Sequence, residues 1–489
     1  MASLTELCGV VERFVAGAGQ PALLDPGEKP LRLVSEHWTV GEWNGRVVLQ
    51  AWDERRNLAC RITGIKQERR DRLALFTERF PKTQGEVQIA DLAAPEGHEL
   101  ERRSARVAFR ERFRFMLSRE FPEWHVDEVS ADANLEASLS PSYVRAFLRR
   151  GPNGIAVMAA PPGSPDYAGI VAFGLIWADY LRRREKKVQI PRLLLFCPAH
   201  CDREIALRAA LIDPAALQCS LYVFDERDRT GPVDFADTGN IDSTLPPCRH
   251  AVAPNADPPA IPEIAGVDRV EQSDGSVSLR VRGLEFARWS GGKLTCGIAR
   301  RKRCTMDTVI AMAREVVRVR CEAAEDRQHP LYTQFPEGWL ESVVRAQPGT
   351  IDASLLPAPI YGQVPIFGGR DRGVIDLLGV DHTGRLAVIE LKASADLQLP
   401  FQATDYWLRV RKHLVAGDFG RLGYFPGITV RPDPPRILLV APALEFHSTS
   451  EALLSYLSPE IEIARVGVAA DWRRELRVMF RLRGSERPS

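Results

Sequence analysis

Arg370-Asp-Arg-Gly-Val-Ile-Asp376-Leu-Leu-Gly-Val-Asp381-His-Thr-Gly384-Arg-Leu-Ala-Val-Ile-Glu390-Leu-Lys392 consists of two apolar β-type runs flanking a polar Asp-His-Thr-Gly. That pattern signals a hairpin. A three-residue loop is commonly a type I turn followed by a residue in the left-handed region, and Gly384 suits that last place. The loop His382-Thr383-Gly384 then pairs Asp381 with Arg385, and counting back along both strands sets Asp376 opposite Glu390. Side chains alternate along a strand, so Glu390 and Lys392 share one face. Opposed carboxylates repel, and charges are costly to bury. A divalent cation between the carboxylates resolves both problems. The other reading is a solvated surface hairpin with chance charges, and the apolar character of both faces argues against it.

Working outward, Gln402-Ala-Thr-Asp-Tyr406 follows Pro400, a good first-turn residue for a helix. The i,i+4 spacing puts Gln402 and Tyr406 on one helix face. Upstream, Glu337-Gly-Trp-Leu-Glu341-Ser-Val-Val reads as a helix with Glu341 inside it and Glu337 at its entrance. Downstream, Arg436-Ile-Leu-Leu-Val-Ala-Pro reads as a buried strand.

Together these segments resemble a known family. Asp376 followed by Glu390-Leu-Lys392 is similar to the D…(D/E)-x-K signature of the PD-(D/E)xK nuclease superfamily. The Gln402-x-x-x-Tyr406 helix and a glutamate on the first core helix, here Glu341, resemble its RecB-like and NucS-like branch. Ile375 stands where the signature has proline. The resemblance covers residues 331–445, about a quarter of the chain. It implies a C-terminal restriction-endonuclease-like αβββαβ core and a metal-dependent nuclease, acting on DNA rather than RNA. The same resemblance implies Mg²⁺ or Mn²⁺, hard ions that favour carboxylate oxygens, on Asp376, Glu390 and Glu341. Lys392 would position or activate a water, and Gln402 would orient water or phosphate. Tyr406, Arg409, Arg411 and Lys412, on the same helix, would touch the nucleic-acid backbone; the other reading of the three cations is a solvated helix end. DNA repair or defence against foreign DNA is the implied setting. The competing reading is a non-catalytic scaffold, binding nucleic acid or protein through a decayed site, and intact Asp376, Glu390, Lys392 and Gln402 favour the enzyme.

The rest of the chain bounds this reading. At 489 residues, two to four domains are expected. Lys+Arg 65 against Asp+Glu 64 leaves a net charge of +1, which argues against binding through bulk positive charge. The positive charge is local instead. From Ser276 to Arg327 there are 12 cations and 6 anions, with Arg300-Arg301-Lys302-Arg303 the densest spot, whereas residues 331–489 carry 18 of each. The basic spot is read either as a solvated loop or as a nucleic-acid contact. The N-terminus lacks a basic segment followed by an apolar run, and no apolar stretch is long enough to span a bilayer, so no membrane partner is expected. Nine scattered Cys do not form a disulfide framework, and a reduced cytoplasmic compartment fits best. A homo-oligomer is compatible with the sequence.

The expectation is therefore an α/β multidomain protein. Residues 1–98 form a β-rich N-terminal module, with Asn44-Gly45 as a hairpin turn and Trp38, Trp43 and Trp52 as core residues or base-stacking platforms. Residues 99–230 form an α/β middle unit opened by an Arg-rich helix. A Pro-rich linker spans 231–265, and a basic hairpin (276–289 with 293–298) plus helix spans 266–330. The nuclease-like domain spans 331–489. The middle unit echoes that domain. Ile155-Ala-Val-Met-Ala-Ala-Pro161 aligns with Leu386–Lys392 and Pro191–Ala199 with Pro435–Ala443, which puts Ala159 at Glu390 and Pro161 at Lys392. Such a copy would hold no metal. Cys197-Pro-Ala-His200-Cys201 lacks a second ligand pair for zinc, and no Walker A lysine, Gly-x-Ser-x-Gly or His-Glu-x-x-His occurs.

Overall fold

Apolar runs punctuated by Gly, Asn and Asp become strands along most of the chain, and the computed structural model gathers them into four sheets among the described residues. Those residues are 4–486 apart from 26, 27, 29, 44, 54–56, 80–82, 236–242, 249–262, 273, 274, 299, 369 and 370. The protein is mixed α/β. It divides into two units, Met1–Asp202 with Ser220–Pro232 and Arg203–Cys219 with Val233–Ser489.

The first unit opens with a helix, Leu4–Gly17, which the β-rich reading of this region did not contain. Leu7, Val11 and Val15 recur at helical spacing and pack on Leu49, Ile62 and Leu75 of an antiparallel seven-stranded sheet. Asn44 lies outside the described residues, but Gly45 has φ +70° and Trp43 pairs with Arg46. Trp43 is 70% exposed, whereas Trp38 packs against the core. The Arg-rich helix spans Pro95–Glu120. The six-stranded sheet that follows runs in chain order, from His125–Ser130 to Thr230–Val233. Its Val144–Arg150 and Asn153–Ala159 form an antiparallel hairpin, and helix Ile170–Arg184 carries the chain over to the parallel strand Gln189–Pro198.

In the second unit the segment 243–248, part of the expected linker, is packed down. Leu245 and Cys248 are buried, and Ser243 Oγ lies 2.8 Å from His413 Nε2. Elsewhere in the expected linker, 231–233 instead end the strand Thr230–Val233, and 236–242 and 249–262 lie outside the described residues. The basic region is a meander rather than one long-armed hairpin. The run expected as a single strand breaks at Arg282-Gly283, with φ +45° and +77°. A Cβ on Gly283 would fall 2.0 Å from the carbonyl oxygen of Gly338, so glycine is required where the meander meets helix Pro336–Ala346. Helix Met306–Val319 follows. Arg320, fully buried just beyond it, donates to the carbonyls of Arg282, Leu331, Gln334 and Phe335 and lies over the Trp339 ring. One guanidinium thereby fixes the entrance of helix Pro336–Ala346.

The C-terminal sheet also runs in chain order: Tyr361–Gly368, Asp371–Val380, Leu386–Leu391, Arg436–Pro442, Ile463–Val468 and Val478–Arg483. The first three strands are antiparallel, and Leu386–Leu391, Arg436–Pro442 and Ile463–Val468 are parallel. Helix Pro336–Ala346 precedes the sheet, and helix Leu399–Val415 makes the crossover, so that apart from the four-residue helices Pro348–Ile351 and Asp418–Arg421 the element order is α-β-β-β-α-β. Trp339 and Leu340 pack with Leu377 and Ile389 on one face, while Tyr406 and Val410 pack with Leu378 and Val388 on the other. Both faces are covered, as the two-sided apolar runs require.

The hairpin turn obeys its sequence. The Asp381 N–H donates to the Arg385 carbonyl at 2.9 Å, and Gly384 has φ +88°. A Cβ there would meet the Thr429 carbonyl oxygen at 2.2 Å. Gly384→Ala is therefore expected to destabilise the protein by about 2 kcal/mol or more, measured as a lower denaturant midpoint. An unchanged midpoint would contradict the tight turn.

Candidate active site

The ladder between the two hairpin strands runs from Val380↔Leu386 to Leu377↔Ile389. One step further along this register, Asp376 faces Glu390. The Asp376 N–H donates to Glu390 Oε1 at 3.3 Å, and the Leu391 N–H donates to Asp376 Oδ2 at 2.9 Å. Glu390 is 0% exposed, and its Oε2 has no hydrogen-bond partner. Burial pushes the Glu390 pKa well above its ordinary value, and the facing Asp376 charge pushes it further. Burial also raises Asp376, against the opposing pull of the Leu391 amide and Lys392. Two carboxylates that resist ionisation and one buried oxygen without a partner fit a hard divalent cation.

Glu341 comes from the preceding helix, as its sequence position suggests, and is buried. Burial raises its pKa, Arg345 opposes the rise, and Asp376 reinforces it. Between Glu341 and Asp376 stands a residue that sequence reasoning missed. Gln363 Nε2 donates to Glu341 Oε2 at 2.9 Å and to Asp376 Oδ1 at 3.4 Å. Among the described residues, no three His, Cys, Asp or Glu side chains are grouped closely enough to hold a metal ion as they stand. Gly362 precedes Gln363, and a Cβ on it would lie 2.4 Å from Glu341 Oε1. A cleft of about 610 Å³ is bordered by Arg345, Tyr361, Gly362 and strand Asp268–Glu271.

Lys392 lies two residues beyond Glu390. Its ammonium sits 3.2 Å from Asp396 Oδ2 and 3.9 Å from Glu337 Oε1. Burial alone would lower its pKa, but Glu337 and Asp396 outweigh that and hold it above the ordinary value. The two glutamates of the first helix therefore divide the work. Glu341 lies on the Asp376 side and Glu337 beside the lysine.

The crossover helix brings Gln402 and Tyr406 together, with Gln402 Nε2 3.4 Å from the Tyr406 hydroxyl. Tyr406 is buried against Gly373, where a Cβ would meet its ring at 2.7 Å. Burial raises its pKa, and the Glu390 charge adds to the rise. Arg208 clamps the helix by bonding both oxygens of Asp405, the nearest at 2.7 Å. Arg409 and Lys412 are half-buried on this helix, while Arg411 is exposed and stacks over Trp407. The basic tetrapeptide is dispersed. Arg301 pairs with Glu285 at 2.6 Å, and Lys302-Arg303 forms an exposed edge strand beside Thr295 and Cys296. Arg300 is exposed.

No family model matches the chain, and no curated protein matches it. Among solved structures it is weakly similar to a repair endonuclease from Pyrococcus abyssi, at 18% identity and TM-score 0.17, over 39% of this chain and 73% of that one. It is also weakly similar to EndoMS in its apo form, at 13% identity and TM-score 0.13, over 40% of this chain and 86% of that one. Both likenesses are faint, and the functional reading of this chain rests on its own residues.

Proposed function

We propose that this protein is a metal-dependent nuclease whose C-terminal domain hydrolyses phosphodiester bonds, with DNA as the substrate the family resemblance favours. The observation that carries the reading is the buried Asp376–Glu390 pair with its partnerless Glu390 Oε2, two residues from an ion-paired lysine. The element order α-β-β-β-α-β supports a restriction-endonuclease-like core. Asp376 and Glu390, with Glu341 alongside, would hold Mg²⁺ or Mn²⁺. Bound there, the ion would supply a Lewis acid for the phosphate and a bound water of lowered pKa. Lys392, kept charged and aimed by Asp396 and Glu337, neutralises charge developing on the phosphoryl oxygens and orients the attacking water. Gln402 and Tyr406 close the far side of the site. Arg409, Arg411 and Lys412 hold the phosphate backbone along the same helix.

In this proposal the middle unit is a silent copy of the same core. Both sheets run in chain order, and each has a hairpin, a crossover helix and a parallel strand. The Ala160 N–H donates to the Phe196 carbonyl as the Lys392 N–H donates to that of Val440. That equivalence puts Ala160 at Lys392 and Met158 at Glu390, and Arg145, which pairs with Met158, at Asp376. Aligning apolar identities gave Ala159 and Pro161, one residue out, because pleat parity and not apolar likeness decides which face a residue occupies. Arginine and methionine lack the oxygen donors that a hard divalent cation needs.

The test is a panel of end-labelled single- and double-stranded DNA and RNA incubated with Mg²⁺ or Mn²⁺. Wild type is expected to release fragments only with the divalent ion, and folded Glu390→Ala and Lys392→Ala to release none. If both variants cut like wild type, the active site lies elsewhere.

A further inference from the structure

Gln363 occupies an unusual place for a neutral side chain. Tyr361–Gly368 pairs with Asp371–Val380 through Gly362↔Leu377 and Val364↔Ile375, so Gln363 faces Asp376 across the strands. Asp376 in turn faces Glu390. The result is one row of three side chains over three adjacent strands, with Glu341 above it. The backbone at Gln363 is left-handed, φ +52°, in the middle of a strand. Such strain persists only where the surroundings hold it, and it concentrates at functional positions. The 2.9 Å bond to Glu341 and the 3.4 Å bond to Asp376 help to hold it here.

Both of these bonds use the amide nitrogen. Its partial positive charge stands between carboxylates in the place a cation would be attracted to. An ion carried by Asp376 and Glu390 would repel that NH₂ group and attract the amide oxygen, which is a hard donor of the kind Mg²⁺ and Mn²⁺ accept. The two ends of a carboxamide have nearly the same shape. Rotation about the last side-chain torsion therefore exchanges them without moving the strand.

We propose that Gln363 is a reversible member of the cation site. Its nitrogen ties Glu341 to Asp376 in the cation-free protein, and its oxygen turns to the ion when one binds. This inference rests on the cation site proposed above. It explains why a neutral residue sits in a row of acids: a third carboxylate there would add charge that the cation-free protein has no partner for.

The experiment is calorimetric titration of MnCl₂ into the full-length chain, comparing wild type, Gln363→Leu, Gln363→Glu and Asp376→Asn, with a thermal melt of each. Gln363→Leu, which can neither donate nor coordinate, is expected to bind Mn²⁺ about tenfold or more weakly. Gln363→Glu, which restores an oxygen at the same reach, is expected to bind at least as tightly as wild type. If Gln363→Leu does not fold, the glutamate variant decides alone, because weaker binding there overturns the proposal. Unchanged or tighter binding by folded Gln363→Leu also overturns it. Asp376→Asn separates the two levels of failure. If it binds Mn²⁺ like wild type, the cation site itself is misplaced; if it loses binding while Gln363→Leu does not, only the role of Gln363 is wrong.

Discussion

Glu390→Gln is expected to raise the melting temperature of the cation-free protein at neutral pH and to remove divalent-dependent cleavage in the same variant. Glu390 is fully buried, its Oε2 is partnerless, and it faces another carboxylate. A buried polar atom left without a partner costs about 1–3 kcal/mol, more if charged. Glutamine keeps the shape, removes the charge and can donate to Asp376. A gain of about 1–2 kcal/mol corresponds to a few degrees in a protein of this size. The sign in pH follows from the direction of the shift. The folded-state pKa of Glu390 lies above its ordinary 4.5, so its contribution to stability is complete below 4.5 and is lost as pH rises through the folded value. Cation-free wild type should therefore lose stability as pH climbs above 4.5. The variant should lose less, and keep a residual slope from Asp376 and Glu341, which are raised in the same direction. Mn²⁺ should restore the wild type by mass action and do little for the variant. A lower melting temperature for Glu390→Gln without metal would show that the buried charge is already satisfied.

Lys392→Met should give the complementary result. The ammonium lies on the Glu390 face of the strand, held by Asp396 and Glu337. Methionine keeps most of the length and none of the charge. Loss of a group that stabilises charge and handles a proton only in the transition state typically slows the chemical step by about 10²–10⁴-fold. Mn²⁺ affinity should hold or rise, because removing a cation near a cation site relieves repulsion. Single-turnover cleavage at saturating Mn²⁺, set beside a Mn²⁺ titration, reads both quantities. Slow cleavage with intact binding assigns Lys392 to chemistry. Cleavage at the wild-type rate would remove it from the mechanism.

The hairpin was legible in the sequence because its information is local. Gly384 supplies the left-handed residue, Asp381 closes the loop, and alternation carries the register back to Asp376 and Glu390. The same holds for Gln402 and Tyr406, whose helical spacing fixes a shared face. Gln363 was not legible. Its role depends on strand Tyr361–Gly368 pairing beside Asp371–Val380 and on a left-handed backbone that no turn residue advertises. Gly362 carried a signal only in retrospect, since nothing local says that a helix carboxylate presses on it. Helix Leu4–Gly17 was visible as Leu7, Val11 and Val15, but short apolar runs nearby drew that region toward a strand reading. The break at Arg282-Gly283 was missed because Arg is a poor advertisement for φ +45°.

Titration of Mn²⁺ into wild type and Asp376→Asn, with cleavage of one labelled DNA followed in the same samples, tests the catalytic centre most directly. Wild type should bind Mn²⁺ and cut in proportion to its occupancy, and Asp376→Asn should lose both together while remaining folded. Wild type that binds the ion and cuts no nucleic acid, or Asp376→Asn that cuts as well as wild type, would contradict a hydrolytic metal centre at Asp376 and Glu390.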